Sequence, residues 1–170
     1  MASPIIIRVK CDPYLARFLE TLYGGSPVSF PKKSNFNAIL DLFLERPELD
    51  YVEPDYGPNT LEIRLPYFDH KNILSYYYLS PAKQEIFVNQ VWKFFKVTYR
   101  AYISRCIVVG LERQEAISIF MTKYNISLDS WDLLEKDYQR YLKVRSKNRL
   151  LRTNKNLSDR DPFCPAGSVG

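Results

Sequence analysis

The side chains that could support catalysis are few and scattered along the chain. His70 is the only histidine among 170 residues, which excludes two-histidine nuclease sites and most zinc sites. The best candidate for metal or acid–base chemistry is the set Glu62, Asp69 and His70, beside a predicted strand. Surface charges on a strand next to a turn explain these residues equally well. We therefore expect a protein without catalytic activity, cofactor or metal.

The cysteines and glycines do not form a recognisable site either. Cys11, Cys106 and Cys164 are far apart and odd in number, which argues against a disulfide framework or a zinc site and favours a reducing compartment. Gly24-Gly25 lacks the following Lys-Ser or Lys-Thr of a phosphate-binding loop. The N-terminal apolar run is too short for a signal peptide, and no stretch approaches a membrane span in length. The sequence predicts a cytoplasmic protein without membrane association.

Charge is distributed unevenly, and the basic end of the chain supplies the main binding hypothesis. The net charge of +5 at pH 7 permits a polyanion partner without requiring one. Acidic residues crowd the stretch from Glu45 to Asp55. Basic residues crowd the stretch from Lys136 to Lys155, where Asp137 is the only acid. A run of this kind is also typical of a solvated helix face, so charge alone does not decide the function.

Residues Arg113 to Tyr138 resemble a helix-turn-helix, in which two helices pack at a steep angle through a short turn. Ala116 would be the small residue where the second helix crosses the first. Ile126 would anchor the turn, and Ser127 or Asp129 would cap the second helix. Many helical hairpins share this pattern, so a purely structural or partner-binding helix pair remains open.

The second helix of this pair carries its basic residues late rather than early. A recognition helix puts its first turns into the major groove, but these turns here contain several acids, which phosphates repel. The C-terminal half would therefore face nucleic acid. The predicted contacts are Lys136, Arg140, Lys143, Arg145, Lys147, Arg149 and Arg152. Four of them, Lys136, Arg140, Lys143 and Lys147, recur at spacings of three and four and so share a helix face.

The elements that position these residues follow from periodicity, caps and chain breakers. Alternating apolar residues predict strands over Ile5–Lys10 and Leu61–Leu65. Predicted helices cover residues 13–23, 34–47, 80–109, 112–124 and 131–149. The third helix has about 28 residues, or roughly 40 Å. Its expected buried stripe comprises Phe87, Val91, Phe94, Thr98 and Tyr102, and it is widened by Trp92, Phe95 and Tyr99. Residues 67–79, with four tyrosines, are left unassigned.

Together these elements predict an α+β, mainly helical fold. It has a small N-terminal sheet with helices, a long central helix and a C-terminal helix-turn-helix-like pair. We expect a small α+β lobe over residues 1–79 and a helical part over residues 80–150 that is continuous with it. A basic, disordered tail is expected over residues 151–170, since few apolar groups there could be buried.

Four short segments resemble small proteins from phages and mobile elements of gut Bacteroidetes. They are Phe30-Pro-Lys-Lys33, Leu65-Pro-Tyr-Phe68, Tyr78-Leu-Ser80 and Lys136-Asp-Tyr-Gln-Arg140. The resemblance spans most of the chain. It implies a bacterial or phage setting but no particular chemistry.

Two functions are compatible with these features. We expect a non-enzymatic, nucleic-acid-binding regulatory or accessory protein of a phage or mobile element, with duplex DNA as its ligand. The alternative is a protein–protein interaction or assembly protein, such as a phage component or an inhibitor of a host factor. In that case the tyrosines Tyr76 to Tyr78 would be the first surface to test, because Tyr is enriched at interface hot spots. The sequence does not define the oligomeric state.

Overall fold

The structure is a computed structural model that describes residues 4–158, with side chains described up to residue 151. Within this range the fold is α+β and mainly helical, as predicted. Two compact units are present, the first ending at Trp131 and the second beginning at Asp132. In chain order the elements are β1 (Ile6–Lys10), α1 (Pro13–Tyr23), α2 (Asn35–Phe43), β2 (Thr60–Arg64), α3 (Pro81–Val108), α4 (Arg113–Lys123) and α5 (Trp131–Ser158).

The two strands form an antiparallel sheet in which Arg8 of β1 lies opposite Glu62 of β2. On the other side of β2, Val28 makes a parallel bridge to Ile63. The alternation read from the sequence is present in the structure. Its buried members are Ile7, Val9, Leu61 and Ile63. Both predicted strands are confirmed, with ends displaced by a single residue.

Two chain breakers define the ends of the first helix at the predicted residues. Pro13 is the first residue of α1, and Gly24 ends the helix with a left-handed φ of 90°, a conformation that favours a residue without a Cβ. Asp12 occupies the N-cap position in an extended conformation, but its side chain makes no capping hydrogen bond. The fixed φ of Pro13, rather than an aspartate cap, therefore marks the start of α1.

The second helix is shorter than predicted. Ser34 caps α2 by accepting a hydrogen bond from the Asn37 N–H at 3.2 Å, as expected. The helix ends at Phe43 rather than at Pro47, and Leu44 is extended. The reason is tertiary, since Glu45 leaves the helix to form an isolated bridge with Tyr78.

Along its length the helix α3 packs first against α2, then against α1 and α4. Its 28 residues span roughly 42 Å, in agreement with the prediction. Phe95 and Tyr99 are buried as predicted. The stripe is wrong at Trp92 and Phe94, which are exposed, and at Thr98 and Tyr102, which are only half-buried. The buried row is instead Phe87, Val91, Phe95, Tyr99 and Ile103.

The buried row of α3 winds around the helix because its neighbours change along its length. Each step of four residues rotates the row by roughly 40°. Phe87 packs on Phe36 of α2, with ring centroids 5.9 Å apart. Two turns later, Phe95 packs on Phe18 of α1 at 5.1 Å. The straight stripe expected from the sequence would fit a single neighbour rather than several.

The fifth helix is longer than predicted. It continues to Ser158 instead of ending near Arg149, so the residues from 151 to 158 that were assigned to a tail have helical backbone. The chain contains no Gly or Pro between Trp131 and Ser158, so nothing in this stretch interrupts the helix. The remainder of the predicted tail, residues 159–170, lies outside the described residues.

Burial along α5 changes sharply. Leu134 and Tyr138 are fully buried, whereas Tyr141 and Leu142 are half-buried. Every residue from Lys143 to Leu151 is exposed. None of the helices within the described range is long and apolar enough to cross a membrane.

Candidate nucleic-acid interface

The predicted nucleic-acid contacts all fall on α5. Those with described side chains are exposed, namely Lys136, Arg140, Lys143, Arg145, Lys147 and Arg149. Arg152 has helical backbone, but its side chain lies outside the described residues. Exposure is the condition that a phosphate contact requires, and these six residues meet it.

The predicted contacts form two faces of α5 rather than one. An α-helix turns by roughly 100° per residue, so Lys136, Arg140, Lys143 and Lys147 lie within a sector of roughly 60°; these four residues are the basic stripe. Arg145 and Arg149 each follow a stripe lysine by two residues, a rotation of roughly 200°. These two arginines therefore form a second face, the arginine face, on the opposite side of the helix.

The distal half of α5 concentrates positive charge in its sequence. Between Tyr138 and Ser158 the sequence contains no acid and seven bases, which are Arg140, Lys143, Arg145, Lys147, Arg149, Arg152 and Lys155. Lys143 and Lys147 are four residues apart, and so are Arg145 and Arg149. Like charges at this spacing destabilise a helix by about 0.2–0.5 kcal/mol per pair. A bound polyanion would remove this repulsion.

The acids that precede the basic residues help to begin α5. Ser127 accepts a hydrogen bond from the Asp129 N–H at 3.4 Å and donates its hydroxyl to the Asp129 carboxylate at 2.8 Å. This arrangement caps a short 3-10 turn, residues 128–130, that leads directly into α5. Asp132 lies in the first turn of α5, where its negative charge interacts favourably with the helix dipole and stabilises the helix. Asp129 and Asp132 are thus explained by helix initiation.

The first helix of the predicted pair packs within the first unit. Ala116, Ile117 and Phe120 of α4 are fully buried, and Phe120 lies 5.0 Å from Tyr99 of α3, ring centroid to centroid. Ile126, the proposed anchor of the turn, is also buried. The crossing of α4 by α5 at Ala116 stays a prediction.

The residues considered for metal or acid–base chemistry are not brought together. The Glu62 carboxylate pairs with the Arg8 guanidinium at 3.3 Å on the sheet. The His70 Nε2 lies 3.0 Å from the Asp41 carboxylate. Within the described part of the chain, no group of three or more His, Cys, Asp or Glu residues could hold a metal ion. The joint site of Glu62, Asp69 and His70 is therefore not formed.

The segment between β2 and α3 is attached to α2 by charged side chains. Lys71 donates hydrogen bonds to the backbone carbonyls of Asp41 and Leu44, the latter at 3.2 Å. His70 pairs with the same Asp41. The chemistry-bearing residues of this segment thus have a structural explanation.

Burial also determines the chemistry of Cys11. This residue is 3% exposed, and its burial, followed by the nearby Asp12 carboxylate, raises the pKa of the Cys11 thiol to about 12. With this pKa, the Cys11 thiol stays protonated at neutral pH. Since the thiolate is the reactive species, Cys11 is unreactive there.

The tyrosine run does not form a single exposed surface. The ring of Tyr78 packs on Tyr51 with centroids 4.6 Å apart, and the Arg46 guanidinium lies 4.9 Å from the centre of the Tyr76 ring. Only Tyr77 of the three is exposed, and it lines a groove beside β1. Sequence reasoning missed this groove, because its walls come from three segments that are distant in the chain.

No protein-family model, curated protein or solved structure matches the chain. A functional assignment therefore depends on the chemistry of its own residues.

Proposed function

We propose that the chain is a non-enzymatic nucleic-acid-binding protein with α5 as its binding element. Its setting would be regulatory or accessory, in a phage or mobile element. The observation that carries this proposal is the distal half of α5, which is exposed on every side from Lys143 to Leu151 and contains no acid after Asp137 up to Ser158. A helix that buries no apolar face gains little stability from packing. Its sequence is better explained by attraction to phosphates than by a role in the core.

The two basic faces favour duplex DNA as the ligand. The major groove of B-form DNA is about 12 Å wide and admits one α-helix. A helix inside it has a phosphate backbone on each side, so basic residues on opposite faces can both reach phosphates. The basic stripe would contact one backbone and the arginine face the other. A helix with bases on one face only would suit a surface contact with a single strand.

A gel-shift titration on duplex DNA across a salt series tests this function. The double substitution Arg140→Glu and Lys143→Glu reverses two stripe charges on exposed residues, and we expect it to abolish binding while the fold persists. The matched control is Lys32→Glu with Lys33→Glu, which makes the same charge change on exposed residues of the first unit. This control should bind nearly as well as the parent. Absence of binding by the parent at low salt would overturn the proposal.

The salt dependence separates the two faces. Each phosphate contact contributes about 0.9 to the slope of log affinity against log salt. Lys143→Ala with Lys147→Ala, and separately Arg145→Ala with Arg149→Ala, should each lower the slope by about two units. If only the stripe pair changes the slope, α5 binds through one face and the groove geometry is wrong, although nucleic-acid binding itself would stand.

A further inference from the structure

The outer edge of β1 carries backbone groups that do not bond to β2. Leu65 donates its N–H to the Ile5 carbonyl at 2.9 Å, and Cys11 donates to the Asn59 carbonyl at 2.8 Å. The odd-numbered residues of β1 therefore bond to β2. In an antiparallel ladder the alternate residues turn their backbone groups the other way. The N–H and C=O groups of Ile6, Arg8 and Lys10 consequently face away from β2.

Side chains hold two of these outward N–H groups. The Lys10 N–H donates to the Gln84 side-chain oxygen at 3.4 Å, and Gln84 is buried at the start of α3, so this end of the edge is covered. The Arg8 N–H donates to a Glu53 carboxylate oxygen at 3.0 Å. Glu53 belongs to an exposed loop. Among the described residues, the Glu53 side chain thus covers the half of the edge from Ile6 to Arg8, and other groups could replace it.

A groove of about 350 Å³ with mixed polar and apolar walls lies beside this half of the edge. Its lining includes Ile6, Leu74 and Tyr77, whose exposures are 39%, 68% and 36%. Such a volume falls at the lower end of the range for ligand pockets in proteins. A backbone edge next to exposed apolar side chains is the combination that strand addition requires: main-chain hydrogen bonds give affinity, and pockets for alternate side chains give specificity.

The charge of the adjoining loop indicates the chemistry of the partner. Residues 48–55 contain no Lys or Arg and four exposed acids, which are Glu48, Asp50, Glu53 and Asp55. The same loop exposes Leu49 and Val52 at 105% and 82%. The surroundings of the edge are therefore acidic and apolar together, which complements a basic and apolar segment.

We propose that this groove binds an extended segment of a partner protein, with alternating basic and apolar residues, as a third strand on β1. The backbone of the segment bonds to Ile6 and replaces Glu53 at the Arg8 N–H. Its apolar side chains, which point to one side of the strand, enter the groove beside Leu74 and Tyr77. Its basic side chains face the carboxylates of the loop, including the displaced Glu53. This inference does not depend on nucleic-acid binding by α5.

Isothermal titration of the full chain with blocked peptides tests strand addition. The probe is the hexapeptide Lys-Val-Lys-Val-Lys-Val, and we expect saturable binding with one peptide per chain. Lys-Val-Lys-Pro-Lys-Val keeps the charge but lacks one backbone donor and resists strand pairing. Glu-Val-Glu-Val-Glu-Val keeps the alternation but reverses the charge. Both should bind at least about tenfold more weakly, a difference of about 1.4 kcal/mol.

A pair of surface substitutions locates the site. Leu74→Ser removes an exposed apolar side chain from the wall of the groove and should lower the affinity for the probe peptide about tenfold. Leu42→Ser changes a similarly exposed leucine, 75% against 68%, on α2 and outside the groove, and should bind like the parent. Equal binding by the two variants, or by the proline-containing peptide and the probe, would show that strand addition is wrong. If no peptide binds, Glu53 simply closes the edge and the proposal fails.

Discussion

Along α3, residues 87–103 bury one side chain in every turn, whereas residues 143–151 of α5 bury none. Both helices contain 28 residues, so length does not distinguish them. The first is held in place by apolar contacts on several sides. The second depends in its distal half on intrinsic helix propensity, against repulsion between its own charges. The comparison shows that one helix is buried in the fold along its length, while residues 143–151 of the other bury no side chain.

The contacts of α3 explain why the first unit is expected to unfold cooperatively. Phe18 of α1 and Phe120 of α4 both lie against Phe95, with ring centroids 5.1 and 5.9 Å away. Tyr124, just after α4, lies 4.8 Å from Phe18 and 4.6 Å from Phe120. Edge-to-face and tilted aromatic pairs of this kind contribute about 0.5–1.5 kcal/mol each beyond their burial. The cluster therefore couples three helices.

The largest expected effect is on Phe120, at the centre of this cluster. Phe120→Ala removes a fully buried ring and should lower the free energy of unfolding by about 3–5 kcal/mol. The matched substitution in α5 is Leu150→Ala, because the Leu150 side chain is 66% exposed. This substitution should change the free energy of unfolding by less than about 0.5 kcal/mol. Urea titration followed by tyrosine fluorescence measures both. Similar costs at the two positions would contradict the contrast between the helices.

A smaller loss is expected from overfilling the core at Ala116. This residue is fully buried in α4, so the larger side chain of Ala116→Leu must displace its neighbours. The substitution should lower the free energy of unfolding by about 1–3 kcal/mol. Ala101 of α3 is exposed, and Ala101→Leu is the matched control, with little expected change. Thermal unfolding of the two variants gives the comparison. An unchanged midpoint for Ala116→Leu would mean that the packing around α4 has room to adjust.

Local signals in the sequence were sufficient to predict a helix end wherever a single residue determines it. Pro13 and Gly24 bound α1, Ser34 caps α2, and Pro81 opens α3. Each acts through its own backbone or side chain, within a few residues. Alternation in the strands is equally local. These elements are correctly placed for that reason.

The sequence was less informative wherever distant segments decide the structure. The end of α2 depends on the bridge between Glu45 and Tyr78, and the winding of the buried row on α3 depends on the order of its neighbours. The groove beside β1 combines Ile6, Glu53 and Tyr77, which no periodicity connects. The basic stripe and the arginine face, by contrast, both follow from sequence spacing once residues 131–149 are taken as one helix.

The smallest expected effect on stability has the opposite sign and separates folding from binding within α5. Arg145→Glu replaces a repulsive pair with Arg149 by an attractive one, with the acid on the N-terminal side. It should therefore stabilise the helix by a few tenths of a kcal/mol. The same change removes a proposed phosphate contact and adds a repulsive charge, so duplex affinity should fall. Circular dichroism and a gel shift at one salt concentration measure helicity and duplex affinity on the same sample.

Arg145→Gln is the control, because it removes the repulsion without adding a negative charge. Its effects on helicity and on affinity should both be intermediate. A variant that gains helicity and also binds DNA more tightly would show that Arg145 lies away from the phosphates and that helix formation, rather than charge, limits binding.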